Sequence, residues 1–226
     1  MGLKFYKVGS AEPAAGYLFR RINQRLKAAQ PVVWLLSGGS AIEVAVLAAK
    51  RLYPGNPKLA VSLVDERYGP VGHPDSNWQQ LLTQGFELPE AALQPVLTGD
   101  SVMITAQKYE RLMERLLTGP AYKIGLLGMG ADGHAAGILP LSPAVRAGSL
   151  ISSYRGPNYQ RLTLTATGLE RLDETVVYAA GEAKRQALNN LNKGLSLDEQ
   201  PAQILKRLPK VLIFNDIRGE DYAHSD

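Results

Sequence analysis

Apolar residues follow two different spacings along the chain, and these spacings predict which segments form strands and which form helices. Almost uninterrupted apolar runs occur at residues 32–36, 59–64, 124–127 and 174–180. Short runs of this kind, rich in β-branched residues, are typical of parallel strands that are covered on both faces. Apolar residues at steps of three and four follow Glu12, Ser40 and Ser101 and predict helices, and Ser76 begins a shorter one. Strands that alternate with helices predict an α/β fold, namely a doubly wound, mostly parallel sheet flanked by helices.

Weaker patterns predict the remaining elements, which lie between or after the strong ones. These are strands at 94–97, near Leu150, at 161–165 and at 210–214, and helices from Glu182 and over 201–208. Loops are expected at 85–99 and 142–158, around the two short strands. A chain of 226 residues suits one α/β domain spanning residues 1–226, with room for a small lobe formed by the loop regions.

Composition and charge narrow the class of protein. Apolar residues make up 45% of the chain, which is enough to build a core, and the net charge is +4. The basic residues are spread along the helices and no nucleic-acid-binding motif occurs, so we expect a small anionic partner and no nucleic acid. The absence of cysteine excludes disulfides and thiolate chemistry. The first residues lack the apolar core of a signal peptide and no apolar run is long enough to span a membrane, so we expect a cytoplasmic protein.

The most informative stretch is residues 123–140, where a predicted strand leads into a glycine-rich turn. Asp132 and His134 lie in this turn, shortly after the strand at 124–127. Ligands of open α/β sheets bind at the carboxyl ends of the strands, so His134 is a candidate catalytic residue. The alternative is structural: Asp132 caps a short helix and His134 is a packed side chain.

The glycines of the same turn also fit the spacing of a dinucleotide-binding fingerprint, Gly128-x-Gly130-x-x-Gly133. That fingerprint needs a full crossover helix after the glycines, and Pro140 leaves little room for one. It also needs an acidic residue about twenty positions further on. Residues 150–154 contain none. We therefore expect no nucleotide cofactor.

A second glycine turn follows the strand at 32–36. It consists of Ser37, Gly38, Gly39 and Ser40. A turn of this kind between a strand and a helix presents free backbone N–H groups and the positive end of the helix dipole, and phosphate is its natural occupant. The alternative is that the glycines only permit the turn while Ser40 caps the helix.

Charged residues follow two further predicted strands. Asp65 and Arg67 come after the strand at 59–64, and the alternative for them is an exposed ion pair, which contributes little stability. Lys184 lies in the first turn of the helix expected from Glu182, where the helix dipole disfavours a cation. A bound anion would offset the unfavourable interaction between Lys184 and the helix dipole. Alternatively, the Lys184 side chain points to solvent, where this interaction costs little.

Five stretches of the chain resemble, in the same order, the motifs of one family. They are Ser37–Ser40, Asp65–Arg67 with His73–Asn77, Gly128–His134, Arg161–Thr165 and Gly181–Lys184. With the elements between them they cover most of residues 35–191. These stretches resemble the 6-phosphogluconolactonases of the glucosamine-6-phosphate isomerase/6-phosphogluconolactonase superfamily. The resemblance implies the fold shared with glucosamine-6-phosphate deaminases and ribose-5-phosphate isomerases.

The resemblance also implies an activity, the hydrolysis of 6-phospho-D-glucono-1,5-lactone to 6-phosphogluconate in the pentose phosphate pathway, with no metal or other cofactor. His134 would act as the general base that activates water, and Asp132 would orient it. Backbone N–H groups near Gly130 would hold the oxyanion. The implied substrate-binding residues are the turn from Ser37 to Ser40, Asp65, Arg67, Gly130, Arg161 and Lys184.

The loop after His134 departs from the family pattern. The family usually has threonine, alanine and serine there, whereas this chain has Ala135, Ala136 and Gly137. Two hydroxyl groups are therefore missing. If these hydroxyls order the loop or bind substrate, their loss changes affinity or substrate identity.

Two other functions fit part of the pattern. An amino-sugar phosphate deaminase or isomerase shares the Asp-Gly-His turn, but those relatives usually have tyrosine in place of Arg67 and in place of Asn77. A non-catalytic sugar-phosphate sensor is the other alternative. Such sensors usually carry a DNA-binding helical module, for which we expect no room in this chain, and His134 favours turnover over mere binding.

Overall fold

The computed structural model describes residues 2–52 and 56–222. The strands are β1 (Leu3–Lys7), β2 (Val32–Leu36), β3 (Leu59–Leu63), β4 (Asp65–Tyr68), β5 (Ala92–Leu93), β6 (Tyr122–Gly128), β7 (Ile151–Arg155), β8 (Gln160–Leu164), β9 (Glu174–Tyr178), β10 (Val211–Asn215) and β11 (Glu220–Asp221). The α-helices are α1 (Glu12–Lys27), α2 (Ala41–Arg51), α3 (Asn77–Thr83), α4 (Val102–Thr118), α5 (Ala166–Leu169) and α6 (Arg185–Asn190). Short 3-10 helices occur at Pro143–Val145, Glu182–Lys184 and Pro201–Arg207.

Eight strands form one parallel sheet in the order β11-β1-β10-β9-β6-β2-β3-β5. Every residue of β2, β9 and β10 is buried, as expected for central strands covered on both faces. The strands predicted near Val32, Val61, Ile124 and Val176 lie side by side and parallel, so this prediction is confirmed. Their carboxyl ends meet at one edge of the sheet.

Helices flank this sheet and supply much of the core. Helix α1 packs against α2 and against β2 and β9, and it buries Leu18 and Ile22 completely. Helix α4 buries Tyr109 and Met113, and the hydroxyl of Ser101 caps its first turn. The predicted α/β class, a mostly parallel sheet flanked by helices, is confirmed.

A second, antiparallel sheet of three strands, in the order β4-β8-β7, was not predicted. We expected Asp65–Arg67 to be the polar end of the preceding strand, but these residues form a strand of their own. Val64 connects the two sheets, because its N–H donates to Leu36 in β2 and its carbonyl accepts from Leu164 in β8. Strand β4 therefore lies beyond the carboxyl end of the large sheet and forms one wall above it.

The structure differs from the predictions in several short elements. Strands β1 and β11 were not predicted, and the short strand expected at 94–97 is instead β5, Ala92–Leu93. The helix expected from Glu182 begins as a 3-10 turn before α6 starts. Each of these segments is too short, or too mixed in polarity, to produce a recognisable period.

Candidate functional site

A cavity of about 260 Å³ opens at the carboxyl ends of the central strands, below the three-stranded sheet. It is lined by Ser37, Gly38, Gly39, Ser40, Asp65, Arg67, Asn77, Gly128, Met129, Gly130, His134, Ala136, Arg161 and Lys184. All the substrate-binding residues predicted from sequence are in this set, together with His134. Asp132 is not, but it contacts His134 from behind.

His134 and Asp132 form a hydrogen-bonded pair at the cavity. The Nδ1 atom of His134 lies 2.6 Å from Oδ1 of Asp132, and the backbone N–H of His134 donates to the same oxygen at 3.1 Å. The hydrogen bond from His134 holds the pKa of Asp132 below its ordinary value. Because Nδ1 is occupied, Nε2 is the ring nitrogen left for chemistry in the cavity. The His134 side chain is 32% exposed, so it is not the packed histidine of the structural alternative.

The turn that carries this pair has a local explanation for its glycines. No helix occurs between Gly128 and Pro140, which removes both the dinucleotide-binding alternative and a helix capped by Asp132. A Cβ atom on Gly130 would lie 2.2 Å from Nδ1 of His134, so only glycine leaves room for the ring. The N–H of Gly130 donates to the carbonyl of His134 at 3.0 Å and is not free for an oxyanion, which corrects the expected role of that group.

The Ser37 to Ser40 turn lies at the start of α2. Gly39 has a φ of 65°, a conformation that favours glycine. The Ser40 side chain makes no capping hydrogen bond, so the alternative role for Ser40 is wrong. Its hydroxyl instead accepts from Nζ of Lys184 at 3.0 Å. The turn thus lines the cavity at the start of α2, where the first backbone N–H groups of a helix have no intrahelical acceptor, and a lysine lies beside it.

Lys184 faces the cavity and not the bulk solvent, so the solvent-pointing alternative is also wrong. Burial lowers the pKa of its ammonium group, although the charge of Asp216 partly opposes that shift. An ammonium group that has lost solvent is stabilised by a nearby anion. Lys184 is thus suited to hold the charged end of a ligand.

Asp65 lies at the floor of the cavity and is 6% exposed. Its Oδ1 accepts from the hydroxyl of Ser37 at 3.0 Å, and its backbone carbonyl and Oδ2 accept from Nδ2 of Asn77 at 2.9 and 3.3 Å. These partners are neutral, so the alternative of an exposed ion pair between Asp65 and Arg67 is wrong. Among the described residues, no cation forms an ion pair with this carboxylate.

Arg67 and Arg161 lie directly opposite each other in the β4–β8 pair. Like charges in this position repel, and the Nε atoms of both are buried without a hydrogen-bond partner among the described residues. Arg67 is held by the carbonyl of Asp75 at 3.1 Å and by the ring of Tyr159, whose centroid lies 5.2 Å from its guanidinium carbon. Two adjacent guanidinium groups of this kind favour an anionic ligand.

Glu66, between the two motif residues, performs a structural task. It is fully buried and accepts from the N–H groups of Arg67 and Asn77, both at 2.7 Å, and from the hydroxyl of Ser76 at 2.8 Å. Burial raises the pKa of Glu66, and these hydrogen bonds partly offset the increase. The carboxylate thereby fixes the start of α3 against β4, which places Asn77 at the cavity.

The loop at residues 135–137 lacks the family's usual hydroxyl groups. Two hydroxyl groups from the three-stranded sheet form hydrogen bonds with its backbone instead. Oγ1 of Thr163 accepts from the N–H of Gly137 at 3.0 Å, and the hydroxyl of Tyr154 donates to the carbonyl of Gly137 at 2.5 Å. A Cβ atom on Gly137 would approach Cβ of Thr163 to 2.9 Å and Cβ of Asp65 to 3.0 Å. Side chains of the three-stranded sheet therefore hold this loop in place, at a position where a side chain on residue 137 would have no room.

Sequence reasoning missed Asn77, Gly128, Met129 and Ala136 as lining residues. Asn77 was placed at a helix start and in a family motif but was not named as a site residue, although the tyrosine that deaminase relatives carry at this position was a signal for one. Within residues 2–52 and 56–222 no group of three or more histidine, aspartate and glutamate side chains could hold a metal ion. No helix in the same ranges is long and apolar enough to cross a membrane.

Known proteins resemble this chain in sequence and in fold. The family described as Glucosamine-6-phosphate isomerases/6-phosphogluconolactonase matches residues 8–213. A 6-phosphogluconolactonase from Pseudomonas putida is 32% identical over 220 residues, which cover 88% of this chain and 87% of that protein. The family match over residues 8–213 includes every strand that borders the cavity.

Two solved structures share the fold. A 6-phosphogluconolactonase from Thermotoga maritima superposes with a TM-score of 0.78 at 22% identity, covering 95% of this chain and 99% of that one. A monomeric glucosamine-6-phosphate deaminase superposes with a TM-score of 0.74 at 17% identity, covering 95% and 97%. At these identities the likeness concerns the fold alone, and it confirms the predicted fold resemblance. Because the family match extends over residues 8–213, the chain belongs to the Glucosamine-6-phosphate isomerases/6-phosphogluconolactonase family.

Proposed function

We propose that this protein hydrolyses 6-phospho-D-glucono-1,5-lactone to 6-phosphogluconate. One observation carries the proposal: a histidine whose Nδ1 is bound to Asp132 faces a cavity that also holds three cationic side chains, Arg67, Arg161 and Lys184. A neutral histidine is suited to take a proton from water. Cations around it suit a substrate that carries a phosphate.

The chemistry follows from the position of His134. Nε2 takes a proton from a water molecule as the water oxygen attacks the lactone carbonyl carbon. The tetrahedral intermediate collapses with cleavage of the bond to the ring oxygen, and His134 returns the proton to that oxygen. Asp132 stabilises the imidazolium that forms in between. The new carboxylic acid then ionises, so the product carries one more negative charge than the substrate.

The phosphate of the substrate is assigned to the Ser37 to Ser40 turn and Lys184. The start of α2 offers backbone N–H donors, and the Lys184 ammonium lies beside them at 3.0 Å from the Ser40 hydroxyl. Arg67 and Arg161 border the same cavity and add positive potential. This arrangement holds the sugar with its lactone within reach of His134.

Hydrolysis of the lactone, measured against its spontaneous rate, tests the proposal. We expect the purified protein to accelerate hydrolysis strongly and to release no ammonia from glucosamine 6-phosphate. No acceleration would overturn the lactonase assignment. Release of ammonia would establish the deaminase alternative in its place.

A further inference from the structure

Asn77 presents a buried hydrogen-bond acceptor that nothing in the described chain uses. Its side chain lines the cavity but is only 1% exposed. The Oδ1 atom has no hydrogen-bond partner among the described residues. A buried polar atom left without a partner destabilises the folded state, so native structures rarely retain one without a reason.

The orientation of this amide is fixed by its neighbours. Both hydrogen bonds of Nδ2 go to oxygens of Asp65, at 2.9 and 3.3 Å, and these oxygens accept but cannot donate. Turning the amide over would place Oδ1 against those oxygens. The backbone N–H of Asn77 is held by Glu66 at 2.7 Å, so the residue as a whole is anchored as well.

The position of Oδ1 is equally constrained on its other side. A Cβ atom on Gly38 would lie 2.0 Å from Oδ1, so the amide oxygen rests against the Cα atom of Gly38 in the turn assigned to the phosphate. Asn77 thus occupies the boundary between that turn and Asp65. An acceptor at this place repels phosphate oxygens and attracts a hydroxyl group.

We propose that Asn77 is a specificity-determining residue, whose Oδ1 accepts a hydrogen bond from a hydroxyl group on the sugar ring of the bound lactone. The assignment rests on the proposed function, since that substrate class offers both a phosphate and ring hydroxyls. Asp65, which Asn77 holds, adds carboxylate oxygens to the same wall. The cavity thus offers hydrogen-bond donors for the phosphate and hydrogen-bond acceptors for the hydroxyl groups of the sugar ring.

Lactones that lack single hydroxyls test this proposal. The values of kcat/KM would be measured with 6-phosphogluconolactone and with its 2-deoxy, 3-deoxy and 4-deoxy analogues. Loss of a hydrogen bond that leaves a buried acceptor unpaired corresponds to about a tenfold to hundredfold loss of kcat/KM, and we expect one analogue to show it. In Asn77→Ala the kcat/KM values for that analogue and for the parent lactone should differ by less than about threefold, because the acceptor is gone from both complexes.

Ser37→Ala provides the matched control. It removes the other side-chain hydrogen bond to Asp65, from the Ser37 hydroxyl, and leaves Oδ1 of Asn77 in place. We expect it to slow the parent and all analogues by the same factor, so that discrimination against the deoxy analogue persists. Thermal unfolding of each variant shows whether it is folded, and Asn77→Ser replaces Asn77→Ala if the latter is not.

The outcomes separate this inference from the proposed function. If wild type hydrolyses the parent lactone but treats all three analogues alike, the role of Asn77 is overturned, and this result needs no variant. Persistence of the discrimination in Asn77→Ala would overturn it too. Failure of wild type to hydrolyse the parent would overturn the proposed function itself, and the assignment of Asn77 with it.

Discussion

The two ends of the large sheet each hold a buried carboxylate among cations, but they differ in how completely the charges are paired. At the amino end Glu174 is fully buried and accepts hydrogen bonds from the hydroxyls of Tyr17 and Tyr122. It also forms ion pairs with Arg21 and Lys210, both at 3.0 Å. Burial alone raises the pKa of Glu174, but these partners outweigh it and hold the value below normal.

At the carboxyl end the same kinds of group remain incompletely satisfied. Asp65 has only neutral partners, and the Nε atoms of Arg67 and Arg161 have none among the described residues. At the amino end the buried carboxylate is paired with cations of the chain itself, whereas no cation among the described residues forms an ion pair with Asp65. The pairing of the buried carboxylate with cations, and not the number of charges, distinguishes the structural cluster from the candidate binding site.

His134→Asn should give the largest effect and should act on turnover alone. General-base catalysis contributes roughly 10² to 10⁴-fold, so kcat for lactone hydrolysis should fall by about that factor with KM nearly unchanged. The side chain is partly exposed, and its replacement should leave the melting temperature close to that of wild type. Normal turnover together with a lower melting temperature would mean that His134 is merely packed.

Glu174→Gln should show the opposite pattern at the amino end. Removing the charge leaves Arg21 and Lys210 without their anion, and breaking a buried ion pair costs about 3–5 kcal/mol. Both cations are partly exposed, so we expect the lower end of this range in urea unfolding. Turnover per folded molecule should match wild type. A catalytic defect in the folded variant would break the distinction between the two ends.

Lys184→Met and Lys210→Met form a matched pair of lysine substitutions. Charge-assisted hydrogen bonds contribute about 1.5–3 kcal/mol, so Lys184→Met should raise the Kd for 6-phosphogluconate by roughly tenfold to hundredfold, as measured by calorimetry. Lys210→Met should leave this affinity unchanged, because Lys210 pairs with Glu174 at the other end of the sheet. Equal affinities for the two variants would remove Lys184 from the phosphate site.

Gly137→Ser tests the packing behind the cavity. Its Cβ atom would meet Thr163 and Asp65 at 2.9 and 3.0 Å, and overpacking of this kind costs about 1–3 kcal/mol. We expect a lower free energy of unfolding and reduced kcat/KM, since Asp65 must move. Gly148→Ser is the control, because no atom lies within 4 Å of its added Cβ. Equal unfolding free energies and equal kcat/KM values for the two variants would show that the loop accommodates the added side chain without cost.

The pH dependence of product affinity should give the smallest effect. Because burial lowers the pKa of Lys184, its charge is lost at a lower pH than that of an ordinary lysine, whose pKa is about 10.4. A bound anion favours the charged form, so affinity for 6-phosphogluconate should weaken in this alkaline range. Lys184→Arg, whose charge does not titrate there, should suppress the weakening. A flat profile for wild type would contradict the assignment.

The apolar strands of the large sheet could be predicted because burial on both faces leaves a continuous apolar run. Strand β4 could not, since Asp65–Tyr68 is polar and becomes a strand only by pairing with β8, far away in the chain. Strand β1 pairs in the same non-local way with β10 and β11. The spacing of apolar residues indicates which faces of a segment are buried. It does not indicate which distant strands the segment pairs with, and strands such as β1 and β4 form only through that pairing.

The placement of the candidate site residues in one cavity was predictable for a related reason. Glycines and charges at the carboxyl ends of parallel strands must meet at one edge, so the cavity follows once the strands are recognised. Asn77 was missed because its role depends on Glu66, which draws the start of α3 to β4. The occupied N–H of Gly130 was missed because a hydrogen bond within a turn leaves no trace in residue type.

The place of β1 in the sheet has a consequence for the order in which the chain assembles. Of the described strands β1 is synthesised first, yet its neighbours β10 and β11 are synthesised last. The strands that border the cavity, from β2 to β9, can pair while the chain is still growing, and β1 must wait. Until then the backbone N–H and C=O groups of β1 have no strand partner. The exposed side chains of Lys4 and Lys7 oppose pairing of β1 with other chains. The strands that border the cavity are thus available for pairing before the strands that complete the other half of the sheet.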